Sequence, residues 1–131
     1  MTNKKGQLKK VVVTVGLLST LILSACGGLS GGAGSQRIGV SDAIQMMEEL
    51  DNYVILDVRT EAEYEANHID GAMLIPVAEI KNRAEAEIPD KDVTIFVYCQ
   101  SGMRSADASR TLASMGYTNV YNMGNSLGII L

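Results

Sequence analysis

From residue 36 onward, runs with the length and composition of buried strands alternate with stretches that carry helical signals. The strongest strand prediction is residues 93–98, which are β-branched or aromatic throughout. The continuous apolar run at residues 53–56 predicts a strand buried on both faces. Strands separated by helices are typical of a mostly parallel central sheet with helices on both faces, so the predicted fold class is α/β. Shorter strands are expected at residues 37–40, 73–75 and 120–122.

The helices between these strands have recognisable boundaries. Ser41 is predicted to cap the first helix. Thr60 and Glu63 have the spacing of a capping box, which predicts a short acidic second helix. Two longer helices are expected over residues 77–87 and 105–115. The core face of the first helix is predicted to consist of Ala43, Ile44, Met46, Met47 and Leu50.

Residues 1–25 have the features of a secretory leader, with lysines at positions 4, 5, 9 and 10 before an apolar run over residues 11–25. That run is shorter than the roughly 18 residues of a membrane-spanning helix, so an integral anchor is the weaker alternative. The ending Leu23-Ser24-Ala25-Cys26 resembles the lipobox of bacterial lipoproteins, whose cysteine receives a diacylglycerol and becomes the first mature residue. The resemblance implies an extracytoplasmic protein anchored through acyl chains, such as palmitate, on Cys26. A chance cysteine after an ordinary signal peptide is the alternative.

The predicted mature chain has a short tether and one folded domain. Residues 26–35 are rich in glycine and serine, and residues 36–131 form the domain. The leader holds four of the eleven basic residues and none of the fifteen acidic ones, so the mature net charge is −8. With so few basic residues, scattered along an acidic chain, no basic stripe for binding nucleic acid is expected. Anionic lipid headgroups would repel such a domain, so the membrane contact is expected to come from the acyl chains alone. Most acids are expected to be solvated on helix faces, namely Glu48, Glu49, Glu61, Glu63, Glu65, Glu85 and Glu87.

Cys99 directly follows the strand at residues 93–98, at the carboxyl end where active sites of α/β sheets lie. Backbone N–H groups of the following turn and the positive end of the next helix can converge on its sulfur and lower the thiol pKa. Gly102 permits a positive φ in this turn. The pattern predicts a nucleophilic thiolate, whereas a buried structural cysteine is the alternative. The turn consists of Gln100, Ser101, Gly102, Met103, Arg104 and Ser105.

This turn resembles the active-site loop of the rhodanese family of sulfurtransferases. Two further stretches are similar to recurrent family sequences, Leu56-Asp57-Val58-Arg59 and His68-Ile69-Asp70-Gly71-Ala72. The resemblance implies a single rhodanese-like domain without a cofactor, in which Cys99 carries a sulfane sulfur as a persulfide. The partners implied are a small donor such as thiosulfate and a thiol or cyanide acceptor. The resemblance also implies that Asp57 and Arg59 shape the site, and that His68 packs within the fold.

The loop length separates sulfur transfer from the nearest alternative chemistry. Four residues lie between Cys99 and Arg104, whereas related phosphatases and arsenate reductases have five residues at this place. A tighter ring of donors suits a single sulfur atom better than a tetrahedral phosphate. Arg104 is expected to hold an anionic donor or to pair with an acid that fixes the loop, and Asp57 is the expected acid. Met103 is expected on the rim of the loop.

The C-terminal residues depart from the family pattern, because a glycine pair is broken and a closing tryptophan is missing. This departure supports a second hypothesis, a lipid-anchored binding or sulfide-sensing module whose cysteine turns over poorly. A disulfide within the chain is not expected if the sulfur of Cys26 is acylated. The single histidine and two separated cysteines give no metal-ligand spacing, and the glycines form no nucleotide-binding fingerprint. We expect a monomer.

Overall fold

A computed structural model describes residues 34–125 of the chain. In these residues the strands form one five-stranded sheet in which every neighbouring pair is parallel. The order across the sheet is β1-β5-β4-β2-β3, so β4, which ends in Cys99, is central. The predicted parallel α/β sheet is therefore confirmed. The strands are β1 (Gln36–Arg37), β2 (Tyr53–Asp57), β3 (Met73–Leu74), β4 (Thr94–Cys99) and β5 (Val120–Asn125).

Helices cover both faces of the sheet, as predicted. One face packs against α3 and α4 through a core that includes Ile80, Leu112 and Val97. The other packs against α1 through a second core that includes Ala43 and Phe96. Apolar burial on both faces holds β4 rigidly, which fixes the position of its last residue. The helices are α1 (Val40–Glu49), α2 (Glu61–Ala66), α3 (Ile80–Glu87) and α4 (Met103–Ser114), and a 3₁₀ turn, Val77–Glu79, precedes α3.

The start of the first helix differs from the prediction. The helix begins at Val40, and Gly39 in extended conformation accepts the first helical hydrogen bond from the Ala43 N–H at 2.9 Å. Ser41 is therefore inside the helix, and its predicted role as the cap is wrong. Of the predicted core face of this helix, Ala43 is buried and three further residues pack partly buried against the second core, namely Met46, Met47 and Leu50. Ile44 is 40% exposed, so its predicted place in the core is wrong.

The second strand is buried on both faces only at its carboxyl end. Leu56 and Asp57 are buried, while Tyr53 is exposed. The reason is the shortness of β3, which pairs only with Leu56 and Asp57 and leaves the first half of β2 at the sheet edge. The buried half is the one that points to the active-site end of the sheet.

Three further boundaries differ from the predictions. The first strand covers Gln36–Arg37 instead of residues 37–40, because the chain enters α1 at Val40. The predicted helix at residues 77–87 is divided into the 3₁₀ turn and α3. The last strand runs to Asn125, which pairs with Cys99, and the register between β4 and β5 shifts by one residue of β5 between the Val97–Asn122 and Tyr98–Gly124 pairs.

Within residues 34–125 no helix is long and apolar enough to cross a membrane. The same residues contain no group of three or more histidine, cysteine, aspartate or glutamate side chains placed to hold a metal ion. The predicted leader, the predicted lipidation site Cys26 and residues 126–131 lie outside the described residues.

Candidate active site

The sulfur of Cys99 lies in a cup of hydrogen-bond donors at the end of β4. The backbone N–H of Gly102 donates to Sγ at 3.0 Å, and the backbone N–H of Ser105 donates to it at 3.3 Å. The Cys99 thiol donates to Ser105 Oγ at 3.4 Å, and that hydroxyl donates to the Gly102 carbonyl at 3.1 Å. When the thiol loses its proton, the Ser105 hydroxyl can turn and donate to Sγ. We call Sγ and these donors the sulfur cup.

The sulfur cup favours the thiolate over the thiol. Burial raises the pKa of Cys99, because the residue is completely covered, but hydrogen bonds from Ser105, Gly102 and Ser101 outweigh burial and hold the pKa below its ordinary value. The first turn of α4 adds the positive end of its helix dipole at the same place. The predicted thiolate-stabilising nest is therefore present in the geometry.

Gly102 is required by the backbone of the cup. Its φ is +88°, a left-handed conformation that is strained for residues with a Cβ. It is the residue immediately before α4, which starts at Met103, two residues earlier than predicted. The turn proper is thus residues 100–102, while Arg104 and Ser105 already belong to the first turn of the helix. A Cβ on Gly102 would stand 3.7 Å from the Cα of Gly124 on β5.

Arg104 pairs with Glu63, so the predicted pairing with Asp57 is wrong. Its Nη1 donates to Glu63 Oε2 at 2.7 Å and its Nη2 donates to Oε1 at 2.9 Å. Both side chains are about 30% exposed. The hydrogen bonds from Arg104 and Thr60 hold the pKa of Glu63 well below its usual range. The pair fixes the first turn of α4, which supplies the Ser105 N–H to the sulfur.

Glu63 performs two tasks at once. The Thr60 N–H and hydroxyl both donate to its Oε2 at 2.9 Å, and the Glu63 N–H donates back to Thr60 Oγ1 at 3.3 Å, which confirms the predicted capping box. Its assignment to the solvated acids was wrong. The position of Glu63 in the sequence could have indicated this role. Because α2 starts just after the carboxyl end of β2, its first turn lies at the same edge of the sheet as Cys99 at the end of β4.

Asp57 and Arg59 form a buried ion pair behind the site. Arg59 Nη2 donates to Asp57 Oδ2 at 2.7 Å and to the Asn67 carbonyl at 2.6 Å. The Tyr98 hydroxyl also donates to Asp57 Oδ2, at 2.6 Å. Burial, followed by the carboxylate of Asp57, raises the pKa of Tyr98. The network joins the ends of β2, β4 and α2, so Asp57 and Arg59 support the site without a hydrogen bond to Cys99. Sequence reasoning missed Tyr98.

The remaining predicted loop residues form the outer surface of the site. Gln100 and Ser101 are exposed, and Met103 is 75% exposed, which agrees with its predicted place on the rim. His68 stacks on Tyr64 with ring centroids 3.8 Å apart, and its Nδ1 lies 2.8 Å from the Tyr64 carbonyl oxygen. This packing agrees with the expected structural role of His68.

The comparison with protein families agrees with this geometry. The model of the family described as "Rhodanese-like domain" matches residues 40–127, which is more than half of the chain. The chain belongs to the rhodanese-like domain family. Among solved structures, an Escherichia coli rhodanese with bound anions is 39% identical, covers 57% of this chain and 89% of its own, and has a TM-score of 0.55. The structural match and the family model confirm the predicted rhodanese-like fold.

Curated relatives of this rhodanese-like chain include two named thiosulfate sulfurtransferases. PspE of Escherichia coli strain K12 is 44% identical over 53% of this chain and 66% of its own. GlpE of Coxiella burnetii is 30% identical over 67% of this chain and 79% of its own. The match spans only 42% of the putative sulfur carrier protein YrkF of Bacillus subtilis, at 39% identity over 60% of this chain. The chain thus covers about two fifths to four fifths of the lengths of these relatives.

Proposed function

We propose that the protein is a sulfurtransferase that carries sulfane sulfur as a persulfide on Cys99. The observation that carries the proposal is the sulfur cup, in which two backbone N–H groups, at 3.0 and 3.3 Å, converge on a thiol whose pKa is lowered. A fixed set of N–H donors stabilises an anionic sulfur without rearrangement. The membership in the rhodanese-like family and the relatives named as thiosulfate sulfurtransferases support the same activity.

With thiosulfate as the donor, the reaction balances without an external oxidant or reductant. The Cys99 thiolate attacks the outer sulfur, a new S–S bond forms, and the S–S bond of thiosulfate breaks with its electron pair leaving on sulfite. Cyanide or a thiolate then attacks the outer sulfur of the persulfide. The electron pair returns to Cys99, and thiocyanate or a new persulfide leaves.

The size of the sulfur cup supports sulfur transfer over phosphate-ester hydrolysis. Only four residues separate Cys99 from Arg104, so the ring of donors is tighter than the five-residue loop of related phosphatases and suits one sulfur atom better than a tetrahedral phosphate. A phosphatase of this kind also needs an arginine to hold the phosphate oxygens. Arg104 is instead committed to Glu63 through two hydrogen bonds.

The two cysteines of the chain provide a matched test. The full chain, purified in detergent, is assayed for thiocyanate formation from thiosulfate and cyanide. We expect Cys99→Ser to abolish the reaction, because Cys99 supplies the sulfur of the cup. Cys26→Ser should retain the reaction, because lipidation is the role proposed for Cys26. Turnover that survives in Cys99→Ser refutes the proposal.

The complete burial of Cys99 supports a second candidate, a binding or sulfide-sensing module with little turnover. Such a module would release about one equivalent of sulfite per Cys99 as it loads and then stop, even with cyanide in excess. Continued release of sulfite at many equivalents favours the enzyme.

We also propose that the mature protein begins at a lipidated Cys26 and is held at the outer face of a bacterial cell membrane as a monomer. The basic start of the leader, its apolar run and Leu23-Ser24-Ala25-Cys26 support this location.

A further inference from the structure

Two basic side chains in the part of the chain that the structure describes form no ion pair. Residues 34–125 contain seven basic side chains, and all but Arg37 and Lys81 form ion pairs. Arg104 would be the obvious group to attract an anionic donor, but Glu63 already compensates its charge through two short hydrogen bonds. The paired side chains are Arg59, Arg83, Lys91, Arg104 and Arg110.

The side chain of Arg37 lies beside Gly124, the residue of β5 that borders Gly102 of the sulfur cup. It lies on β1 opposite Asn122 of β5, and its side chain is exposed. Its Nη2 lies 4.0 Å from the point where a Cβ on Gly124 would stand. Gly124 in turn borders Gly102, whose N–H donates to the sulfur of Cys99. The guanidinium therefore lies next to the strand end that flanks the cup, and no side chain at position 124 separates them.

We infer that Arg37 is the residue that recognises the anionic end of the sulfur donor. The inference rests on the proposed sulfurtransferase function and assigns its substrate class, a small donor whose leaving group is a sulfonate-like oxyanion. A guanidinium presents several N–H donors in one plane and holds such oxyanions well. Lys81, the other unpaired cation, lies on α3, which contributes no residue to the cup.

Steady-state kinetics with thiosulfate and cyanide provide the first test. Arg37→Gln should raise the KM for thiosulfate by about fivefold or more and change kcat by less than about twofold, because the charge attracts the donor without touching the reacting sulfur. Arg37→Lys should restore part of the loss. The matched control Lys81→Gln removes the same charge elsewhere and should behave as the wild type.

Alkylation of Cys99 gives a readout that does not depend on turnover. Iodoacetate is an anion and iodoacetamide is neutral, so the ratio of their rates at Cys99, measured by peptide mass spectrometry, reports the positive potential at the cup. Arg37→Gln should lower this ratio at least about threefold while the iodoacetamide rate stays unchanged.

The two readouts separate the failure of this inference from the failure of the proposed function. A ratio and a KM that both stay within about 1.5-fold of wild type in Arg37→Gln overturn the assignment of Arg37. A ratio that depends on Arg37 in a protein that forms no thiocyanate upholds the anion site and refutes the sulfurtransferase proposal.

Discussion

The contact between Glu63 and Arg104 joins two helices at the site, and its removal should weaken both the fold and sulfur transfer. Glu63→Ala deletes the two hydrogen bonds to Arg104 and the side-chain half of the capping box at Thr60. Glu63→Gln is the matched variant, because glutamine can still accept from Thr60 in a capping box but carries no charge to balance Arg104. Glu61→Gln, in the same helical turn, is the control.

The structure sets the size of the effect. Loss of a helix cap costs about 0.5–1 kcal/mol. A bidentate ion pair at about 30% exposure contributes about 0.5–1 kcal/mol once solvent screening is included. Glu63→Ala should therefore lower the free energy of unfolding by about 1–2 kcal/mol, or Tm by about 5–15 °C for a domain of this size. Glu63→Gln should show about half of that loss.

Thermal unfolding at several pH values measures the contributions of the helix cap and of the ion pair to stability. Because the pKa of Glu63 is lowered in the folded protein, its stabilising effect is fully present above the ordinary carboxyl value of 4.5 and is lost as the pH falls below it. The difference between wild type and Glu63→Gln should thus be largest near pH 7 and shrink in acid. Glu61→Gln should change stability by less than about 0.5 kcal/mol.

A double-mutant cycle with Arg104→Gln decides whether the ion pair is the cause. We expect a coupling energy of about 0.5–1 kcal/mol between the two positions and a parallel, several-fold fall in sulfur transfer for each single variant. If the two effects on stability add within about 0.3 kcal/mol, Glu63 and Arg104 do not stabilise one another and the ion pair is not the cause.

Three other outcomes follow from the geometry. Alkylation of Cys99 by iodoacetamide should persist below the ordinary thiol pKa of about 8.5, and Ser105→Ala should move this pH profile upward because one hydrogen bond to the thiolate is lost; an unmoved profile would contradict the role of Ser105. Hydrolysis of p-nitrophenyl phosphate should be undetectable, since the cup is built for one sulfur atom, and hydrolysis that depends on Cys99 would contradict the loop-length argument. Cys26→Ser should release the protein from the membrane fraction and remove lipid labelling without reducing sulfur transfer, and a variant that stays membrane-bound would show that the leader is an uncleaved anchor.

The elements nearest to Cys99 were predictable because local and long-range signals agree there. The apolar run before Cys99, the glycine at position 102 and the capping box at Thr60 each have a local physical reason. The end of β5 and the burial of β2 were predicted wrongly because both depend on the neighbouring strands of the sheet. β5 extends to Asn125 because it pairs with β4 as far as Cys99, and Tyr53 is exposed because β3 is too short to cover it.

The ion-pair partner of Arg104 could not be predicted from the sequence. Asp57 is an acid at the end of a buried strand, and sequence alone makes it a reasonable partner. Arg59, two residues away, forms an ion pair with that carboxylate, and the Tyr98 hydroxyl donates a further hydrogen bond to it. Arg104 therefore pairs with Glu63, 41 residues earlier in the chain. The pairing of acids with arginines depends on how the ends of β2, α2 and α4 pack against each other. No local sequence pattern indicates the distances between these ends.

Intact-mass spectrometry after incubation with thiosulfate shows whether Cys99 holds a transferable sulfur. We expect a gain of about 32 Da, the mass of one sulfur atom, that maps to the peptide containing Cys99, disappears on addition of cyanide and is absent in Cys99→Ser, because the N–H donors that hold the thiolate also stabilise the persulfide anion. A wild-type protein whose Cys99 peptide gains no sulfur from thiosulfate, while the same thiol is alkylated at neutral pH, would show that Cys99 is not a sulfur carrier.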